Sequence, residues 1–331
     1  MELEIIAAII SSAIAFFTVF ALTPFLIKAL EKRNSTVKDY HRKGGAMVAR
    51  PGGPSLIAGI LISGTVLYAF FPMTEIIAIL ITTALAFLVG LVDDKKVMGG
   101  WFKPLALAAT AIPILLLGVY DTDLSFPLFG EVRIPLLYIG IIVIMIPITG
   151  NTINSIDVLN GVASGFMVIA GSAITISLII LQNYEIAILS LLLVFVSLAF
   201  YKYHKYPSKI FPGDSGALTL GAMYGAIAIV GQVEVIAAIA LGPAIFNSFL
   251  FLSSMKRIVE HREIKEKPVE LTEDFMLKAT SNKKASVTLV RLILAGGRPL
   301  SEKEIGFVIF KLTIFSGILA IITAFMMGVS L

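Results

Sequence analysis

Ten long stretches of this chain run almost without charge, and that alone restricts the fold to a bundle of membrane-crossing helices. They cover 5–27, 51–74, 76–92, 104–120, 134–156, 158–184, 186–201, 215–233, 235–255 and 305–331, and only the last holds a charge, Lys311. About 30 Å of hydrocarbon takes ~20 apolar residues in helical form, with ~17 as the lower limit. No water reaches the backbone there, so segments that satisfy their own N–H and C=O groups are required. With 57% hydrophobic residues and a mean hydropathy of +0.94 over 331 residues, the chain carries more apolar surface than a water-soluble core uses. The sequence predicts an all-α integral membrane protein of about ten transmembrane helices, one polytopic membrane domain over 1–331. The first stretch follows Glu2 and Glu4 rather than basic residues, so it is expected to be a retained helix and not a signal peptide.

Basic residues then orient the bundle, because Lys and Arg in short loops stay on the cytoplasmic side. Six fall in 31–53, three in 93–103, three in 202–213 and eleven in 253–304, whereas Arg133 alone falls in a loop on the other face. The expectation is a multi-pass protein of the cell membrane with a cytosolic site and both termini outside. The basic residues flank spans instead of forming a stripe with stacking aromatics, which argues against nucleic acid and for membrane lipid and an anionic substrate. No cysteine is present, so thiol metal sites and disulfides are excluded. No internal repeat of the kind common in transporters is visible. The one sizeable water-facing segment, 254–304, is expected to hold short extended pieces around Pro268 and, at 286–296, an interfacial helix.

Three polar clusters interrupt the apolar pattern, all on the cytosolic side. In GLVDDKKVMGGWFKP, Asp93 and Asp94 leave the third span and Lys103 opens the fourth. Adjacent carboxylates repel unless a cation is near, so this pairing fits a metal or coupled proton site; solvated interfacial anchoring fits it too. In NTINSIDVLNG, polar groups recur every third residue at Asn151, Asn154, Asp157 and Asn160. That spacing predicts a polar stripe on one helix, either offering oxygens to a hard ion such as Mg²⁺ or bonding between helices. In KYPSKIFPGDSGALTLG, Phe211 and Gly213 precede Asp214 at the start of the eighth span, where helix N–H groups favour bound anions and where an Asp also serves as a plain cap. Upstream, Lys43 and Arg50 sit with His41 and Arg42 in a Gly-Pro-rich loop. His261 and Arg262 lie in a second charged loop. Positive-inside charge accounts for most of these.

In series, LVGLVDD with Lys103-Pro104, NTINSI with Asn160-Gly161, YPSKIFPGD, PAIFNSFLFL and SVTLVRLILAGGRPLSEKEI resemble the polyprenyl-phosphate N-acetylhexosamine-1-phosphate transferase family. The likeness is greatest to its eukaryotic and archaeal GlcNAc-1-phosphate branch, while FPGDSGALTLG and Asp157 are similar to the bacterial phospho-MurNAc-pentapeptide branch. The resemblance implies ten spans, a cytosolic site, and transfer of a sugar 1-phosphate from a UDP-N-acetylhexosamine to a polyprenyl or dolichyl phosphate, releasing UMP. It implies Asp93, Asp94 and Lys103 as catalytic, with Asn154 and Asp214 as ligands of Mg²⁺, or of Mn²⁺ in its place. For substrate it implies Asn160 reading uracil, Phe211 stacking on it, and further contacts from Lys43, Asn151, Asp157 and Gly213. The family's histidine-rich and PRHR signatures are absent, and His261-Arg262 is the nearest stand-in for sugar recognition. Val97 stands where the eukaryotic pattern has Asn. GlcNAc-1-phosphate is the expected group, a muramic-type donor the alternative, and a homodimer one arrangement the resemblance allows. The competing class is an ion-coupled transporter or lipid flippase, whose sites generally lie nearer the bilayer midplane.

Overall fold

The computed structural model describes residues 2–42, 45–96, 98–99, 101–255 and 266–328. Helices dominate: α1 (Glu2–Lys32), α2 (Gly53–Phe70), α3 (Thr74–Lys95), α4 (Phe102–Ala109), α5 (Ile112–Leu117), α6 (Pro135–Ile156), α7 (Val162–Ile180), α8 (Tyr184–His204), α9 (Gly213–Val230), α10 (Glu234–Ala240), α11 (Gly242–Met255), α12 (Leu289–Ile293) and α13 (Glu302–Gly328). Three small antiparallel hairpins join them: β1 (Thr36–Lys38) with β2 (Met47–Ala49), β3 (Asp123–Phe126) with β4 (Gly130–Arg133), and β5 (Val269–Leu271) with β6 (Leu277–Ala279). Among the described residues, eight helices are long and apolar enough to cross a membrane, and a ninth if α10 and α11 form one span.

The sequence expectation of about ten continuous spans therefore changes in two places. The stretch 104–120 is two short helices whose joint length, Phe102–Leu117, falls short of a full crossing, and 235–255 is bent by 73° between α10 and α11. Pro113 at the start of α5 has no N–H for a continuing helix, and this is the physical reason for the first break. At the second break Ser316 Oγ of α13 donates to the Ile239 carbonyl at 2.8 Å, which satisfies a backbone group near the bend.

The helices α3 and α6 pack most closely on α9, which is buried along its whole length. Its sequence, GDSGALTLGAMYGAIAIV, is built of small residues, and small residues are what let membrane helices approach closely. On α3, a Cβ added to Gly90 would lie 2.5 Å from Ser215 Cα. On α9 itself, one added to Gly221 would lie 2.5 Å from the Thr149 carbonyl of α6. These contacts set α3 and α6 against the first turns of α9, so the ends of the three helices meet at one level.

The loop after α11 is anchored from inside. Buried Asn247 donates to the Ser155 carbonyl at 3.2 Å and to Ser155 Oγ at 3.0 Å, and accepts the Leu289 N–H at 2.9 Å. Arg291 turns its guanidinium back onto the carbonyls of Thr280, Asn282, Ala285 and Ser286. The segment 286–296 contains α12 and one turn of 3₁₀ helix, with Leu289, Val290 and Leu294 buried and Leu292 exposed.

Candidate active site

The site forms where a backbone clasp brings two distant loops together. Phe211 N–H donates to the Ala49 carbonyl at 2.9 Å, Gly52 N–H to the Phe211 carbonyl at 2.8 Å, and Gly53 N–H to the Pro212 carbonyl at 3.1 Å. The clasp fixes Arg50 beside the start of α9. Gly213 then holds φ +71°, and a Cβ there would lie 2.8 Å from Asp94 Oδ1 and 2.7 Å from Pro51 Cβ, so this turn accepts only glycine.

Asp94 caps α9 from another helix. Its Oδ1 accepts the Asp214 N–H at 2.9 Å and its Oδ2 accepts the Ser215 N–H at 2.8 Å. The first N–H groups of a helix have no internal partner and carry the positive end of its dipole, so a carboxylate is favoured at that point. Asp214 is the second residue of α9. Its carboxylate turns to the cations: Lys103 Nζ lies 2.5 Å from Oδ1 and Arg50 2.7 Å from Oδ2. Lys103 also holds Asp93 Oδ2 at 2.7 Å, and Asp93 Oδ1 accepts the Met98 N–H at 2.7 Å. Arg50 reaches Asp94 Oδ1 at 3.2 Å, and Asn154 Nδ2 reaches Asp214 Oδ1 at 3.0 Å. Asp93, Lys103 and Asp214 are all buried.

Charge decides what this arrangement can do. Unit charges ~4 Å apart interact by about 4 kcal/mol at an effective dielectric of ~20, so three gathered carboxylates need cations. Lys103 and Arg50 supply two, which leaves one negative charge over. Asp214 and Asn154, with Asp93 and Asp94 behind, can offer carboxylate and amide oxygens; that chemistry fits a hard divalent ion such as Mg²⁺.

Beside this cluster opens a cavity of about 540 Å³, lined by Arg50, Asn154, Asp157, Asn160, Phe211 and Gly213 together with residues of β1 and the turn after it. Burial pushes the Asp157 carboxyl up to about 7, against the pull of the Arg50 charge. Asp157 lies 3.5 Å from Nε2 of His204, whose Nδ1 pairs with Ser164 Oγ at 2.9 Å. The Phe211 ring stands edge-on to His204.

Of the residues singled out in the sequence, Asp93, Asp94, Lys103, Asn154 and Asp214 meet directly, and Asp157, Asn160, Phe211 and Gly213 line the adjoining cavity. The polar stripe is not one helix face, because α6 ends at Ile156 and α7 begins at Val162, leaving Asp157 and Asn160 in the turn between. Asn151 bonds the Pro147 carbonyl of its own helix at 2.9 Å. Asn160 donates to Asp39 and Glu302 and accepts the Ser208 N–H. Lys43, Val97, His261 and Arg262 lie outside the described residues. Sequence reasoning passed over Arg50, reading it as one more positive-inside charge. The signal was its place in ARPGGP, directly before the turn that clasps FPGD.

Residues 76–232, the stretch running from α3 through α9, match the family model described as Glycosyl transferase family 4. A protein of Saccharolobus solfataricus provisionally named UDP-N-acetylglucosamine–dolichyl-phosphate N-acetylglucosaminephosphotransferase is 28% identical over 255 residues, covering 76% of this chain and 79% of its own. One of Bacillus subtilis, provisionally named undecaprenyl-phosphate N-acetylglucosaminyl 1-phosphate transferase, is 28% identical over 276 residues, 80% of this chain and 75% of its own. A phospho-N-acetylmuramoyl-pentapeptide-transferase of Staphylococcus haemolyticus is 28% identical over 249 residues, 68% and 77%. These matches bear out the resemblance drawn from the motifs and the class it implies, a membrane glycosyl-1-phosphate transferase. They do not agree with an ion-coupled transporter or flippase.

The cap on α9 yields an expected outcome. Gly213→Ala should lower turnover by roughly 5- to 150-fold, since a strained turn costs ~1–3 kcal/mol and the new methyl meets Asp94. Gly140→Ala, on open space in α6, should leave it unchanged. Steady-state UMP release from the two purified variants checks this, and equal rates would contradict the role given to the turn.

Proposed function

We propose that this chain transfers N-acetylglucosamine 1-phosphate from its UDP-sugar to a polyprenyl phosphate of the dolichyl type, giving a diphosphate-linked lipid and UMP as the first membrane step of glycan assembly. One observation carries the reading: Asp93, Asp94, Lys103, Asn154 and Asp214, drawn from three separate polar segments, converge beside a polar cavity at the ends of membrane-crossing helices. Such a place suits an acceptor whose phosphate sits at headgroup level while its tail stays in hydrocarbon.

In the reaction, a lipid phosphate oxygen forms a bond to the β-phosphorus of the donor, the bond from that phosphorus to the bridging oxygen breaks, and the electron pair leaves with UMP. The second pKa of a phosphate monoester is ~6, so the nucleophile is already mostly dianionic at pH 7 and needs no strong base. Positioning and charge neutralisation dominate phosphoryl transfer of this kind. Lys103 and Arg50, held by Asp93, Asp94 and Asp214, present positive charge to the diphosphate and to the leaving UMP. Asp94 fixes the first turn of α9 and with it Asp214. Phe211 offers its ring to the base from the cavity wall. Asp93 is already bonded to Lys103 and the Met98 N–H, which favours a holding role over that of a covalent nucleophile. Mg²⁺, or Mn²⁺ in its place, held by Asn154 and Asp214 would neutralise charge on the donor diphosphate. Every side chain of the cluster comes from one chain, so the chemistry does not require the homodimer.

The direct test is a panel of UDP-sugars offered with a polyprenyl phosphate and Mg²⁺ to the purified protein, scored by the mass of the lipid product. A product heavier by N-acetylglucosamine phosphate is expected, lost on addition of EDTA. A product from a muramic-type donor alone would assign the other donor, and no lipid product from any donor would overturn the reading.

The site is proposed to face the cytosol, with both termini outside, on the basis of the lopsided basic loops. Because the chain has no cysteine, single replacements report sidedness cleanly. Phe129→Cys, in the β3–β4 turn, is expected to react with an impermeant maleimide on intact cells, and Lys283→Cys only after permeabilisation. The opposite pattern would invert the topology.

A further inference from the structure

Next to the catalytic cluster lies a second group of acids, and among the described residues only a histidine stands against it as a basic side chain. Asp39, in the turn after β1, and Glu302, the first residue of α13, are both buried, at 3% and 5% exposure. With half-buried His41 they offer ligand atoms that all lie within 4.8 Å of one another. Among the described residues no Lys or Arg pairs with either acid, and His41 Nδ1, 3.5 Å from Glu302 Oε1, is the nearest candidate charge.

The hydrogen bonds around the group leave one acceptor over. Glu302 Oε1 accepts the Asn160 N–H at 2.5 Å and Asn160 Nδ2 at 2.6 Å. Asp39 Oδ2 accepts Asn160 Nδ2 at 3.3 Å and its Oδ1 accepts the His41 N–H at 3.1 Å. Glu302 Oε2 is buried and has no hydrogen-bond partner among the described residues. A buried carboxylate oxygen without a donor costs several kcal/mol, and a buried charge is ordinarily paired or bound to a metal. Two carboxylates and an imidazole, with Asp39 and His41 on the wall of the cavity, are a mixed oxygen and nitrogen set, which suits first-row transition ions better than Mg²⁺.

We infer that Asp39, His41 and Glu302 form a second divalent-cation site, selective for a transition ion such as Mn²⁺ or Zn²⁺ and separate from the Mg²⁺ position proposed at Asn154 and Asp214. An ion there neutralises the acid pair and takes up the unpartnered oxygen of Glu302. It also holds Glu302, whose other oxygen orients the Asn160 amide at the cavity wall. Asn160 is thereby fixed without touching the ion itself.

The two sites differ in one spectroscopic respect. The donors at Asp214 and Asn154 include no histidine, whereas this site includes His41. The experiment loads the purified, EDTA-stripped full-length protein with Mn²⁺ alone, counts bound ions by equilibrium dialysis, and records electron spin echo modulation for a coupled imidazole nitrogen. Bound Mn²⁺ with one such nitrogen is expected. His41→Gln, a partly exposed position, should abolish the nitrogen signal, and Glu302→Gln should remove one bound ion per chain. Asp214→Asn should leave the nitrogen signal intact, so failure of the catalytic reading and failure of this one are separable. Mn²⁺ bound without an imidazole nitrogen, or an ion count and signal unchanged in both His41→Gln and Glu302→Gln, overturns the inference.

Discussion

The structure depends on one electrostatic arrangement: the N-terminus of α9 is closed by a carboxylate that belongs to α3. Asp94 accepts two backbone N–H groups that α9 cannot satisfy itself, those of Asp214 and Ser215. The Asp214 carboxylate faces Lys103 and Arg50. Removing one member of a buried ionic set typically costs ~3–5 kcal/mol, because the charges left behind lose their partners inside a medium that cannot solvate them. The cluster is therefore self-consistent, and its residual negative charge makes it receptive to a divalent cation, which would turn the net charge positive for a polyanionic reactant.

Packing supplies the precision that the charges use. Gly90 and Gly221 let α3 and α6 lie against α9 at backbone contact, and any side chain there would separate helices whose ends carry the reactive groups. The clasp between residues 49–53 and 210–213 adds Arg50 from a loop far away in sequence. Asn247 ties Leu289 to Ser155 at the end of α6, next to the turn that carries Asp157 and Asn160, and Arg291 braces the residues of the long segment before it. A phosphoryl transfer catalysed by positioning requires this kind of support more than it requires a strong base.

Much of this was legible in the sequence. Charge-free stretches located the helices because a membrane imposes length and composition directly, and the three polar clusters stood out because polar groups are costly in such a setting. What was not legible has specific causes. The bend before Gly242 and the break before Pro113 interrupt segments that read as continuous by composition. The repeat of polar groups from Asn151 to Asn160 suggested a helical face, yet the chain turns after Ile156 and uses the same residues in a loop. Arg50 was hidden among basic residues that read as positive-inside charge, and its place in the site appears only when the clasp brings it to Asp214. Glu302 and Asp39 are distant in sequence, so their pairing around Asn160 has no local signature.

The most direct test of the central claim is a double-mutant cycle on UMP release with Lys103→Gln and Asp214→Asn. If the two side chains act within a single ionic cluster, each change alone should remove most of the rate, and the double variant should be little worse than the weaker single one. Losses that multiply, each variant reducing the rate independently of the other, would contradict the account.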